Sequence, residues 1–119
     1  MKLIAFLLLA IAAIFASADF NADAVQCLAL RPKYHQAINK FCKRDIVIPS
    51  GYAQRGTKVG GKAVIVTGDC RPKQRVSKRK CRKRLFKMCR HSNEIGQSNK
   101  YFGFNKCQKW TTWPMDVRV

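Results

Sequence analysis

The chain has 119 residues, of which 24 are Lys or Arg and six are Asp or Glu, for a formal charge of +18. That length allows one small domain with a thin core. That ratio rules out a surface of mixed sign, so self-repulsion must be offset by a partner or by covalent restraint.

Residues 1–18 have the form of a secretory signal peptide: Lys2, an apolar run over residues 3–15, then the small-x-small site Ala16-Ser17-Ala18. The run is shorter than a membrane span, and no other stretch is long enough to be a transmembrane segment. The mature domain is therefore expected to cover 19–119, secreted and monomeric. Its six cysteines, Cys27, Cys42, Cys70, Cys81, Cys89 and Cys107, imply three disulfides in an oxidising compartment. Fifteen pairings are possible. Cys81–Cys89 is excluded, because eight helical residues place the two about 12 Å apart along the axis.

Residues 19–24 are expected to fray, and 25–30 (VQCLAL) to form a first strand. From Pro32, the residues Tyr34, Ala37, Ile38, Phe41 and Cys42 keep helical spacing, which predicts a helix ending near Lys43 or Arg44. The β-branched 46–48 (IVI) starts a second strand, stopped by Pro49. Residues 51–61 read as loop, or with 57–59 extending an irregular hairpin, and Gly60-Gly61 as the turn before 63–67 (AVIVT), the clearest strand. A second helix starts at the N-cap Ser77. Residues 92–99 read as a surface loop and 101–110 as the last strand, with Trp113 and Pro114 in a tail. The order β-α-β-β-α-β predicts an α+β fold, a ferredoxin-like α/β sandwich whose antiparallel sheet carries two helices on one face.

The second helix lies in the most unusual stretch. Residues 71–90 hold eleven Lys or Arg and no acid, yet Cys81, Leu85, Met88 and Cys89 fall on one helical face. Arg79, Lys80, Lys83, Lys87 and Arg90 are the candidate contacts for an anionic partner, with Phe86 on the same outer side as an anchor. A membrane or cell-wall surface suits such a helix, with Phe86 entering the interface. Nucleic acid is the other candidate partner, bound through phosphates with Phe86 as a stacking platform. The tract SKRKCRKR also has the composition of a nuclear-localisation signal.

Chemistry is sparse. His35 and His91 are the only histidines, and no motif brings them together, so they read as surface or capping residues. A secreted ribonuclease built on this pair, or a nucleic-acid-binding effector inside a host cell, is the alternative function. No nucleophile elbow, phosphate-binding glycine loop or metal motif is present, so neither enzymatic activity nor a cofactor is expected. Asp45 and Asp69, at strand boundaries, read as turn or capping residues.

The succession of Cys27, Phe41-Cys42, Ile48-Pro49, a strand ending at Cys70, a helix from Cys81 to Cys89, Phe102-Gly103 and Cys107-Gln108-x-Trp110 resembles a known group. It is similar to small secreted fungal effectors related to the α/β-sandwich killer toxins of smut fungi. The resemblance covers nearly all of the mature chain. It implies a disulfide-stapled, non-enzymatic sandwich, toxic or effector-like towards microbes or a host, and active in the apoplast if the fungus lives on a plant. It carries no catalytic residues over to this sequence.

Overall fold

The computed structural model describes residues 21–115; the expected signal peptide lies outside them. The first element is a helix, α1 (Ala22–Leu30), where a strand was expected. Its cause is local. Asn21 caps it by accepting from the amides of Asp23 and Ala24, at 2.9 and 3.2 Å, and the body is rich in Ala and Leu, among the best helix formers. Arg31 breaks it, because a residue before proline is driven out of the helical region. Pro32 then opens α2 (Pro32–Phe41), which buries Tyr34, Ala37, Ile38 and Phe41 as its spacing predicts.

The remaining elements are β1 (Ile46–Ile48), the short α3 (Gly51–Arg55), β2 (Thr57–Val59), β3 (Lys62–Gly68), β4 (Gln74–Val76), α4 (Lys78–His91), β5 (Ser98–Phe102), a 3₁₀ turn (Phe104–Lys106) and β6 (Gln108–Pro114). They form two antiparallel sheets. β1 pairs with β4, and a four-stranded sheet runs β2-β3-β6-β5. The fold is thus α+β, but its element order is not the ferredoxin-like β-α-β-β-α-β. The 46–48 strand pairs outside the main sheet, and residues 25–30 supply a helix. Gly60 and Gly61, with φ of 55° and 81°, make the two-residue turn between β2 and β3, as the sequence indicated.

The expected last strand is two strands. Gly103, at φ 85°, ends β5, and the chain turns back so that Phe102 pairs with Gln108. Trp113 and Pro114, expected in a tail, complete β6. Along β6 the side chains alternate, with Gln108, Trp110, Thr112 and Pro114 buried and Lys109 and Trp113 exposed. Helices α2 and α4 cover the inward face, where Trp110, Val64, Val66, Phe41, Ile38 and Leu85 share one core. Helix α1 packs outside α4 and α2.

Three disulfides close the domain: Cys27–Cys89, Cys42–Cys81 and Cys70–Cys107. Cys89 ties α4 to α1 and Cys81 ties it to Cys42 at the end of α2; the two do not bond each other, as their separation required. Such bridges belong to proteins that fold in oxidising compartments.

Candidate functional site

Helix α4 begins as the sequence indicated. Ser77 Oγ accepts from the Lys80 amide at 3.2 Å, and Asp45 Oδ1 accepts from the Lys78 amide at 3.0 Å. Asp45 also stands 3.6 Å from Arg75, so the expected capping role is filled. Asp69 forms an ion pair with Arg71 at 3.0 Å in the turn after β3. At the far end of α4, Arg31 donates to the Cys89 carbonyl at 3.1 Å, an acceptor the last turn leaves open, and to the Asn93 carbonyl just beyond the helix at 2.9 Å. Lys78, Arg79 and Lys80 nevertheless occupy the first turn, where the helix dipole disfavours cations. Packing and two disulfides hold a charge arrangement that local electrostatics opposes.

The seam of Cys81, Leu85, Met88 and Cys89 is buried, as its spacing predicts. Phe86 is buried too, only 4% exposed, and this corrects its assignment to the outer surface. Its ring stacks on His35 of α2, with centroids 5.1 Å apart. The physical reason is the breadth of what α4 rests on. The sheet covers one flank, while α1 and α2 cover the other, so the buried arc is wider than one seam. Phe86 therefore cannot serve as a membrane anchor or a base-stacking platform in this fold.

Of the other candidates, Arg79, Lys80, Lys83, Lys87 and Arg90 are all exposed. Arg90 is tied to Asp23 by an ion pair of 2.8 Å, which reduces what it offers to a partner. Among the described residues Lys80, Lys83 and Lys87 make no ion pair. They lie at i, i+3 and i+7 and so form one stripe. The nuclear-localisation composition is folded into this helix, with Cys81 fully buried at its centre.

Arg84 does something the sequence did not reveal. Its guanidinium lies 4.4 Å over the Phe102 ring and 5.2 Å from the Trp110 ring centre, and donates to Gln108 Oε1 at 3.1 Å. Desolvation lowers its pKa. Gln108 Oε1 also accepts from Trp110 Nε1 at 2.9 Å, and Gln108 Nε2 donates to Gln74 Oε1 at 2.8 Å. Gln74 then holds the backbone of Phe104 in both directions, accepting from its amide at 3.2 Å and donating to its carbonyl at 3.4 Å. A polar chain thus joins the basic helix to the β5–β6 loop. Gln74 has no sequence signal, and Gln108 enters only through the Cys107-Gln108-x-Trp110 spacing of the resemblance; Gly103, a break within an aromatic run, points to the loop.

The two histidines stand on different helices, His35 on α2 and His91 at the last position of α4. His35 is stacked on Phe86, five residues from His91 and so about 7.5 Å away along α4. Burial holds the His35 pKa below its ordinary value. An open depression of about 610 Å³ beside Tyr34 includes Arg31, Lys33, Lys62 and Arg90. Arg31 there donates to the carbonyls of Cys89 and Asn93, Arg90 is paired with Asp23, and Glu94 adds an acid to the lining. Among the described residues no group of three or more His, Cys, Asp or Glu is placed to hold a metal, and no helix is long and apolar enough to cross a membrane.

Comparison with protein-family models, with curated proteins and with solved structures gave no match.

Proposed function

We propose that this is a secreted effector or antimicrobial protein that acts by binding an anionic surface, membrane or cell wall, through the cationic stripe of α4. One observation carries the reading. Lys80, Lys83 and Lys87 project from a helix pinned by disulfides near both ends, and its first turn keeps three cations where they weaken the helix. A merely solvated face has no need of that arrangement. It also mixes signs, and α4 has no acidic residue at all. Binding, with no chemical step, is the proposed mode of action.

The test is affinity of the oxidised protein for heparin and for phosphatidylglycerol vesicles, with neutral vesicles as control. Each Lys near an anionic surface contributes about 1 kcal/mol. Replacing all three (Lys80→Gln, Lys83→Gln, Lys87→Gln) should weaken binding about 100-fold at low salt and leave the thermal midpoint nearly unchanged. Unchanged affinity in a folded variant would remove α4 from the binding surface.

A further inference from the structure

Among the described residues, Phe104 is the most exposed large apolar side chain, at 78%. A lone surface Phe needs no explanation. This one sits on a loop built at a cost. Asn105 and Lys106 are consecutive non-glycine residues in the left-handed region, with φ of 58° and 53°. Such a pair persists only where the surroundings enforce it, and it is typical of sites that must hold a set shape.

The enforcement is visible from every side. Gln74 grips both backbone groups of Phe104, Gln108 holds Gln74, and Arg84 holds Gln108. Gly103 leaves no room for a Cβ, which would strike the Gln74 and Gln108 side chains. Cys107, next after the turn, is bonded to Cys70. All of this holds the backbone that turns one aromatic side chain outward.

The electrostatics of the hairpin identify what the ring meets. From Ile95 to Met115 there is no acidic residue, and the three lysines Lys100, Lys106 and Lys109 are all exposed. Lys73, next to Gln74, is exposed as well, and Tyr101 on β5 is 57% exposed. An outward aromatic ring on a cationic loop suits the boundary of an anionic bilayer. There the ring leaves water while ammonium groups stay at the level of the phosphates.

The geometry points to the loop at residues 103–106 as a membrane anchor: Phe104 enters the headgroup–acyl boundary of an anionic bilayer, and Lys106 and Lys73 contact its phosphates. This rests on the anionic-partner reading above and narrows the partner to lipid. The anchoring role expected of Phe86 falls to a residue on the opposite side of the Arg84–Gln108–Gln74 chain.

The experiment is co-sedimentation with vesicles of phosphatidylglycerol mixed with phosphatidylcholine, at low and high salt, beside heparin binding. The proteins are the wild type, Phe104→Ala, Phe104→Trp and the triple Lys→Gln variant of α4. We expect wild-type vesicle binding to keep a salt-resistant part. Phe104→Ala should lower that part roughly 10- to 100-fold, the equivalent of one buried ring, with heparin binding unchanged. Phe104→Trp should restore it, which separates the ring itself from damage to the loop. Salt-resistant binding that survives Phe104→Ala, or vesicle binding as salt-sensitive as heparin binding, would overturn the anchor and leave the α4 reading intact. Heparin binding indifferent to the triple variant, beside vesicle binding that needs Phe104, would overturn the α4 reading and support the anchor. If neither heparin nor vesicles bind, both fall.

Discussion

Helix α4 and the β5–β6 hairpin are both free of acid, both rich in cations and both fastened by disulfides, yet they place their apolar side chains in opposite ways. In α4 every large apolar side chain, Phe86 included, faces the core, and the solvent side is charge alone. In the hairpin Tyr101, Phe104 and Trp113 stay open beside the lysines. A surface of charge alone attracts from a Debye length away and loses its hold as salt rises. Apolar surface acts only on contact and is indifferent to salt. In the proposed reading the two regions divide attraction and adhesion between them.

The contrast can be broken most strongly at its two phenylalanines. Phe86→Ala should cost about 3–5 kcal/mol in urea unfolding, the usual range for an aromatic removed from a core. Phe104→Ala should stay within about 0.5 kcal/mol, as surface changes do. Comparable losses would show that the loop ring is structural after all. Next comes the third disulfide. Cys70→Ala with Cys107→Ala should cost about 2–4 kcal/mol, and amide exchange should rise at residues 103–106 while α4, held by its own two bridges, stays protected. Faster exchange in both would mean that the regions are one cooperative unit.

The smallest effect is a pH dependence confined to the packed side. Burial depresses the His35 pKa, so the folded state favours the neutral ring and the unfolded chain takes the proton more readily. The stability tied to neutral His35 is complete above the unfolded pKa, about 6.5, and is lost as pH falls from there through the folded value. Urea midpoints measured across that window should decline less in His35→Gln than in the wild type. Parallel declines would show that His35 is not the responsible group.

How much of this was legible in the sequence depended on whether a signal was local. Ser77, the Cys81–Leu85–Met88–Cys89 spacing, the IVI and AVIVT runs and Gly60-Gly61 each act through neighbours in the chain, and each lies where it was read. VQCLAL is ambiguous because a short apolar run fits strand or helix equally, and the Asn21 cap that decides for helix stands ahead of it. The burial of Phe86 is hidden for a different reason. A helical wheel gives the direction of a side chain but not the breadth of the surface beneath it, and at Phe86 that breadth comes from α2, whose His35 covers the ring. The Arg84–Gln108–Gln74 chain joins residues 24 and 34 positions apart, and no periodicity encodes it.

The disulfide connectivity has one more consequence. The exposed lysines of α4 are the residue type after which trypsin-like proteases cut. A cut anywhere between Cys81 and Cys89 leaves Cys27, Cys42, Cys70 and Cys81 on one fragment and Cys89 and Cys107 on the other. The bonds Cys27–Cys89 and Cys70–Cys107 then bridge the break. Cleavage of the most basic segment therefore yields a nicked molecule in one covalent piece, whose halves separate only on reduction.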